Sequence, residues 1–379
     1  MNSKTKKVLY VATVDSHIIS FHIPYLKMLK NEGYEVHVCT GEDGKIPYCD
    51  KKHTIAIKRS PYRLGNIKAI GELKKIINEN DYKLIHCHTP MGGVVTRLAA
   101  KKARKKGTKV FYTAHGFHFF KGAPLLNWLI YYPIEKWLSK YTDTLITINE
   151  EDYKRAKKKF KKCNRIELVN GVGINIEKFS DDLHDKEKEQ LKKKLNLKKD
   201  DFVILQVGEL NKNKNQILAI KVMKELTKTN KKIKLLLAGK GKLEQFYKDK
   251  IKEYNLQNNV YVLGYRQDVP KLMKVSNVLL SLSYREGLPV NVIEAMASGL
   301  PIIATNCRGN RDLVVNEKNG YIINNNDVKK LKEKIIFLQK NEATNSYFKT
   351  QTQRLVENYA LDKIEERFKE IYEWIKENK

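Results

Sequence analysis

The feature that most restricts how this chain can fold is an alternation of short apolar runs with longer runs whose apolar residues recur at helical spacing. "KKVLYVATV" is the first such strand, and in "IISFHIPYLKMLKNEG" Ile19, Phe21, Ile23, Leu26 and Leu29 lie near one helical face, with Gly33 as the stop. The pattern continues through "YEVHVCT", "IKAIGELKKIINEN", "YKLIHCHTP", "VVTRLAAKKARKKG", "KVFYTAHG" and "DTLITIN". Alternation of this kind predicts an α/β fold, a parallel sheet wrapped by helices.

Between residues 163 and 201 the pattern breaks: "NGVGINIEKF" is turn-like, and "SDDLHDKEKEQLKKKLNLKKDD" is almost wholly charged, with leucines enough for a short helix. The alternation then restarts with "FVILQVGEL", "QILAIKVMKELTK", "IKLLLAGKG", "VYVLGY", "VPKLMKVS", "NVLLSLS" and "GYIIN". Two successive α/β domains are expected, which suits a chain of 379 residues. We set their limits at 1–172 and 173–359, with a C-terminal helix near 360–379 expected to return to the first.

The chain carries 73 Lys and Arg against 43 Asp and Glu, a formal charge of +30, so it is expected to attract something anionic. Nucleic acid is disfavoured, because no RNA-binding, zinc-finger or helix-turn-helix signature is present. The five cysteines are scattered without paired spacing, which fits a reducing, cytoplasmic setting. The N-terminal apolar run ends at Asp15 and reads as a strand rather than a leader, and no stretch approaches the roughly 20 apolar residues that span a bilayer. No G-x-G-x-x-G follows the first strand, so a dinucleotide-dependent enzyme is disfavoured.

One stretch stands out in so basic a chain: "SYREGLPVNVIEAMASGLPIIAT", residues 283–305, sets Glu286 and Glu294 on either side of a Gly-Leu-Pro turn. Pro289 suits the first position of a helix, and Gly299 followed by Pro301 suits its end. Glu286 then lies in a loop at the carboxyl end of a strand, and Glu294 about one turn into the helix. In open α/β sheets ligands bind at that edge. Free N–H groups from Gly287 to Val290 favour a phosphate, and a carboxylate one turn deeper can accept two hydrogen bonds from a vicinal diol. A nucleotide sugar presents diol, diphosphate and sugar together.

The stretch "EGLPVNVIE" resembles the Glu-x7-Glu signature of retaining glycosyltransferases of family 4. "HCHTP", "TAHG", "NGVGI", "VGELNKNK", "AGKGK" and "LGYRQDV" follow in that family's order. The resemblance implies the GT-B fold, two Rossmann-like domains facing across a cleft, with the donor held chiefly by the second. It implies that Glu294 binds ribose hydroxyls, Glu286 the transferred sugar, and the backbone of Gly287 and Leu288 the diphosphate and sugar. Lys214, after Gly208, falls where the family has a diphosphate-binding lysine. The family's arginine after that glycine is replaced by Glu209, and Lys212 or Arg266 is the candidate substitute.

In the first half, the resemblance makes His115 of "FYTAHGFHFF" the candidate beside the transferred sugar, with His118 a weaker one. Asp15, Ser16 and His17 are weak candidates for the acceptor side. His86 and His88 would share one face of a strand, opposite Cys87, with no third ligand nearby, so no metal and no cofactor is predicted. The basic clusters "KKARKKG" and "DYKRAKKKFKK" flank "FHFFKGAPLLNWLIYYPIEKWL", a combination that suits rest on an anionic membrane.

The expected function is a cytoplasmic transferase, peripheral on the inner face of the membrane, of the kind found in capsule and exopolysaccharide assembly. It moves a sugar from a UDP-linked donor to a polyprenyl-diphosphate-linked saccharide. The rivals are a UDP-sugar 2-epimerase of the same fold and a non-catalytic sugar-nucleotide-binding membrane scaffold.

Overall fold

The computed structural model describes residues 6–377, and the chain divides into two units. One runs to Gly173 and takes in the chain from Asp362 onward; the other spans Ile174–Leu361.

The first unit is built on seven strands: β1 (Lys7–Val11), β2 (Glu35–Thr40), β3 (Lys51–Thr54), β4 (Tyr82–His88), β5 (Lys109–Ala114), β6 (Thr144–Thr147) and β7 (Arg165–Leu168). Their order is β3-β2-β1-β4-β5-β6-β7 and every pairing is parallel. The second has six: β8 (Phe202–Val207), β9 (Ile233–Ala238), β10 (Val260–Gly264), β11 (Val278–Ser281), β12 (Ile302–Thr305) and β13 (Gly320–Ile323). These run β10-β9-β8-β11-β12-β13, again all parallel. Both are doubly wound, Rossmann-like sheets, as the alternation predicts.

Helices cover both faces, so the central strands are buried throughout, and this is why Val8–Val11 and Phe202–Leu205 read as unbroken apolar runs. In each sheet the strand order reverses beside the first strand: between β1 and β4 in one, between β8 and β11 in the other. The loops leaving those strands splay apart there and leave room for a ligand.

Local chemistry departs from the sequence reading in three places. The helix expected across "IISFHIPYLKMLKNEG" is two, Asp15–Phe21 and Ile23–Asn31, broken at His22 (φ −124°, ψ −2°) ahead of Pro24, which has no N–H to bond the carbonyl four residues back and whose ring would crowd it, so it is tolerated only in the first turn of the second helix. The edge strands β3 and β7 escaped the pattern because each is four residues long and polar or mixed in composition. Pro289 is the N-cap rather than the first helical residue of Val290–Ala297.

The last helix, Leu361–Glu377, belongs to the first unit. Its Ile364, Phe368, Ile371 and Tyr372 are buried in a cluster with Tyr10, Tyr25 and Phe111. Its Arg367 guanidinium pairs with the Glu167 carboxylate, and the Tyr372 hydroxyl hydrogen-bonds those of Tyr10 and, at 2.8 Å, His86 Nδ1.

Candidate active site

At the switch point of the second sheet, the loop after β8 carries Lys214 and the loop after β11 carries Glu286. The Lys214 ammonium donates to Glu286 Oε1 at 2.7 Å. The two loops are zipped together by a backbone and a side-chain bond: Tyr284 N donates to Asn213 O at 2.9 Å and Asn213 Nδ2 to Arg285 O at 3.1 Å. Lys214 N is held on Asn211 Oδ1 and its carbonyl accepts from Gln206 Nε2, so the loop is fixed on both sides of the lysine.

Glycine permits the crowding. Gly239 has φ +153°, and a Cβ there would lie 1.9 Å from the carbonyl oxygen of Gly208, which puts the loop after β9 hard against the loop after β8. A Cβ on Gly309 would meet Gly287 O at 2.4 Å, so the backbone at 308–310 packs directly under the Gly287-Leu288 turn.

Beneath the turn lies a buried polar lattice that sequence reasoning missed. Asn310 Nδ2 donates to the carbonyls of Ser281 and Thr305, Thr305 Oγ1 donates to Ser283 O at 2.6 Å, and Arg308 Nε donates to Glu286 O at 2.8 Å. Asn291 Nδ2 reaches back to Val207 O at 2.9 Å and ties the helix Val290–Ala297 to β8. The available signal was position: Arg308 and Asn310 follow β12 closely, as Glu286 follows β11.

Glu294 sits one turn into that helix, and burial pushes its carboxyl up to about 7, with Lys178 opposing only in part. A carboxyl half-protonated near neutrality is poised to be drawn fully into its anionic, accepting form when hydroxyl donors arrive. Leu288 is buried and Gly287 half-buried. The Arg266 fork is closed on Asp268, at 2.7 and 2.6 Å. Glu209 and Lys212 are exposed.

At the switch point of the first sheet, Ser16, His17, Arg59, Thr89 and His118 line a cavity of about 450 Å³. Thr89 caps the helix Pro90–Ala99 at this opening, accepting from Gly92 N. Asp15, grouped with Ser16 and His17 on sequence grounds, is engaged elsewhere: it accepts from Lys52 Nζ at 2.7 Å, Thr40 Oγ1 at 2.5 Å and Gly44 N at 2.8 Å. Burial raises its pKa, but those partners outweigh it and hold the carboxyl below the usual range. His118 rests on Tyr131 with ring centres 4.7 Å apart.

His115 follows β5, and its Nε2 lies 3.2 Å from His17 Nε2. His86 and Cys87 face opposite sides of β4, as alternation requires, Cys87 donating its thiol to Phe111 O and His86 bonded to Tyr372 and Thr113. The expectation that His86 and His88 lack a third ligand held only for their neighbours in sequence. The fold brings His17, His22 and His115 to His88, the four offering ligand atoms within 4.8 Å of one another.

An exposed apolar segment is also present in the first unit. On the helix Leu125–Leu138, Leu125, Leu126 and Leu129 are 73%, 62% and 66% exposed, whereas Trp128, Tyr131 and Tyr132 pack on the core. The Lys101 ammonium lies 4.3 Å from the Tyr141 ring centre and 5.0 Å from that of Trp137, which joins the first basic cluster to the aromatic end of this helix. No helix among the described residues is long and apolar enough to cross a membrane.

Comparison with known proteins agrees with the two-sheet fold. Residues 187–355 match the family model "Glycosyl transferases group 1", and residues 7–149 match "Glycosyl transferase 4-like". The putative glycosyltransferase EpsD of Bacillus subtilis is 45% identical over 84% of this chain and 84% of its own. An Escherichia coli UDP-Gal:alpha-D-GlcNAc-diphosphoundecaprenol alpha-1,3-galactosyltransferase is 27% identical over 91% and 90%. The crystal structure of Anabaena HepE in complex with UDP superposes with a TM-score of 0.79, at 18% identity over 97% and 99% of the two chains, and so shares the fold.

Proposed function

Since this chain belongs to the group 1 glycosyltransferases, we propose that it moves a sugar from a UDP-linked donor to a hydroxyl of a polyprenyl-diphosphate-linked saccharide, with retention of anomeric configuration, in capsule or exopolysaccharide assembly. The observation that carries this reading is the Lys214–Glu286 pair at the β8/β11 switch point, beside the first turn of the helix that bears Glu294.

In the proposed mechanism Glu294 accepts from both ribose hydroxyls. The N–H groups of the Gly287-Leu288 turn and the Lys214 ammonium meet the diphosphate, so that Lys214 exchanges Glu286 for phosphate when the donor enters. Glu286, released, faces the sugar and stabilises positive charge as it develops at the anomeric carbon. The acceptor attacks from the face the diphosphate leaves, and a phosphate oxygen takes the acceptor proton, so no side chain is assigned as general base. The leaving charge is met by Lys214 and backbone N–H groups, and no metal or other cofactor is assigned to the step. His115 donates a hydrogen bond to the sugar or the acceptor.

The acceptor reading draws on the lipid-linked substrate that the E. coli relative's name states, and on the exposed leucines and neighbouring lysines of the first unit. Lysines beside an anionic bilayer contribute about 1 kcal/mol each, and the leucines insert shallowly. That surface would hold the protein on the inner leaflet.

The test is a thermal-shift panel of nucleotide sugars, followed by transfer to an undecaprenyl-diphosphate saccharide. UDP-sugars should raise the melting temperature by mass action, and labelled sugar should move to the lipid fraction. Epimerised donor without acceptor, or no response to any UDP-sugar, would replace this reading.

A further inference from the structure

Beyond the transfer reaction, we propose that His17, His22, His88 and His115 form a closed site for a divalent transition-metal ion of the zinc type in the first unit.

The four come from separate elements that meet at the β1/β4 switch point. His17 is on the helix Asp15–Phe21, His22 is at the break before Ile23–Asn31, His88 ends β4, and His115 follows β5. His17 Nε2 lies 3.2 Å from His115 Nε2 and 3.3 Å from His22 Nε2. One imidazole nitrogen carries either a single in-plane lone pair or a single N–H, so it forms one well-directed hydrogen bond and cannot satisfy both neighbours. His88 is fully buried, and neither of its nitrogens has a hydrogen-bond partner among the described residues. Buried polar atoms left unpaired are costly, so their convergence requires a reason.

A cation supplies one. With metal–nitrogen bonds of about 2.0–2.1 Å, the edge of a tetrahedron is about 3.3–3.4 Å, the separation these ring nitrogens already show. The widest pair, within 4.8 Å, closes by about 1.4 Å, which side-chain rotation supplies. His86, the nearest alternative, is committed to Tyr372 and Thr113 and stays out of the set.

An all-imidazole site suits zinc, copper or nickel rather than magnesium or calcium. With all four positions filled by protein, the ion is structural and polarises no substrate directly. It would tie the loops after β1, β4 and β5 into one wall of the cavity that His17 lines, and place two positive charges behind it. Coordination through Nε2 leaves the His115 Nδ1–H as a donor, so the site is compatible with the role proposed above for that residue.

The test uses tag-free full-length protein stripped by chelation and titrated with Zn²⁺ by calorimetry and with Co²⁺ by visible absorption. One equivalent should bind with submicromolar affinity, and cobalt should give the intense bands of tetrahedral coordination. His22→Gln and His88→Gln should each weaken binding by roughly 100-fold, whereas His53→Gln, outside the cluster, should leave it unchanged. If His88→Gln does not fold, His17→Ala at the cavity rim serves instead. Absence of stoichiometric binding, or binding indifferent to both His22→Gln and His17→Ala, overturns the proposal. No sugar enters the readout, so either result leaves the donor-site reading standing.

Discussion

Around the switch point of the second sheet stand a lysine and two glutamates, while around that of the first stand four imidazoles. Each unit also has an ion pair on elements adjoining its switch point, and the pairs differ in exposure. Lys214–Glu286, at 2.7 Å, keeps 23% and 13% of its side-chain surface open, whereas Arg97–Glu135, at 2.9 Å, keeps 1% and 10%. Arg97 also lies over the Tyr112 ring at 4.1 Å, in the helix Pro90–Ala99 that opens on the first unit's cavity. A pair that water and ligand can reach is able to exchange partners. One sealed on an aromatic face can only hold the structure.

If that distinction is right, the two pairs respond to mutation in opposite ways. Glu286→Gln should lower transfer by roughly 10³-fold, about 4 kcal/mol of transition-state stabilisation, with the melting temperature nearly unchanged; residual activity near that of the wild type would break the comparison. Arg97→Ala should instead cost about 3–5 kcal/mol in urea unfolding, because it leaves Glu135 charged and unpaired, while the fraction that stays folded binds UDP-sugar normally.

Glu294 sharpens the contrast within the second unit. Its folded pKa, about 7, lies above the ordinary carboxyl value of 4.5, so the folded chain holds the proton to higher pH than the unfolded one. Stability must then fall as pH rises between those values and level off above them. Glu294→Gln removes that fall. The variant should gain about 1–3 kcal/mol relative to wild type between pH 5 and 8 while binding donor more weakly, a site stabilised at the expense of function. Parallel melting curves for the two proteins across this range would show that the carboxyl is not desolvated.

The smallest effect belongs to the first unit's surface. Leu126→Ser with Leu129→Ser should leave stability within about 0.5 kcal/mol, since both side chains are already exposed, and should reduce partitioning onto anionic vesicles by about tenfold. Equal partitioning would remove that helix from the membrane contact.

Much of the local arrangement of the candidate site was legible before any coordinates, and the reason is local. Glu286, Gly287, Leu288 and Glu294 lie within nine consecutive residues of one strand-turn-helix unit, so their relative placement follows from the turn chemistry of Gly-Leu-Pro and the helical period. Lys214 was assigned through the family resemblance of its loop, and the fold sets it beside Glu286 because in a doubly wound sheet the loops after the first and fourth strands meet. Arg308 and Asn310 were not, since beyond their position after β12 nothing in "CRGNRD" distinguishes a buried hydrogen-bond anchor from a solvated loop.

The amino-acid sequence by itself determined two parallel sheets, the helix that presents Glu294 and the excess of positive charge, because apolar periodicity, turn residues and composition act over a few residues at a time. Only the tertiary structure decided that Asp15 faces Lys52 rather than the cavity, that Arg266 is closed on Asp268, and that four histidines spread from residue 17 to residue 115 converge. Such meetings depend on strand order and on where the helix breaks at His22, and spacing along the chain carries no record of distances between loops that only a folded sheet edge brings together.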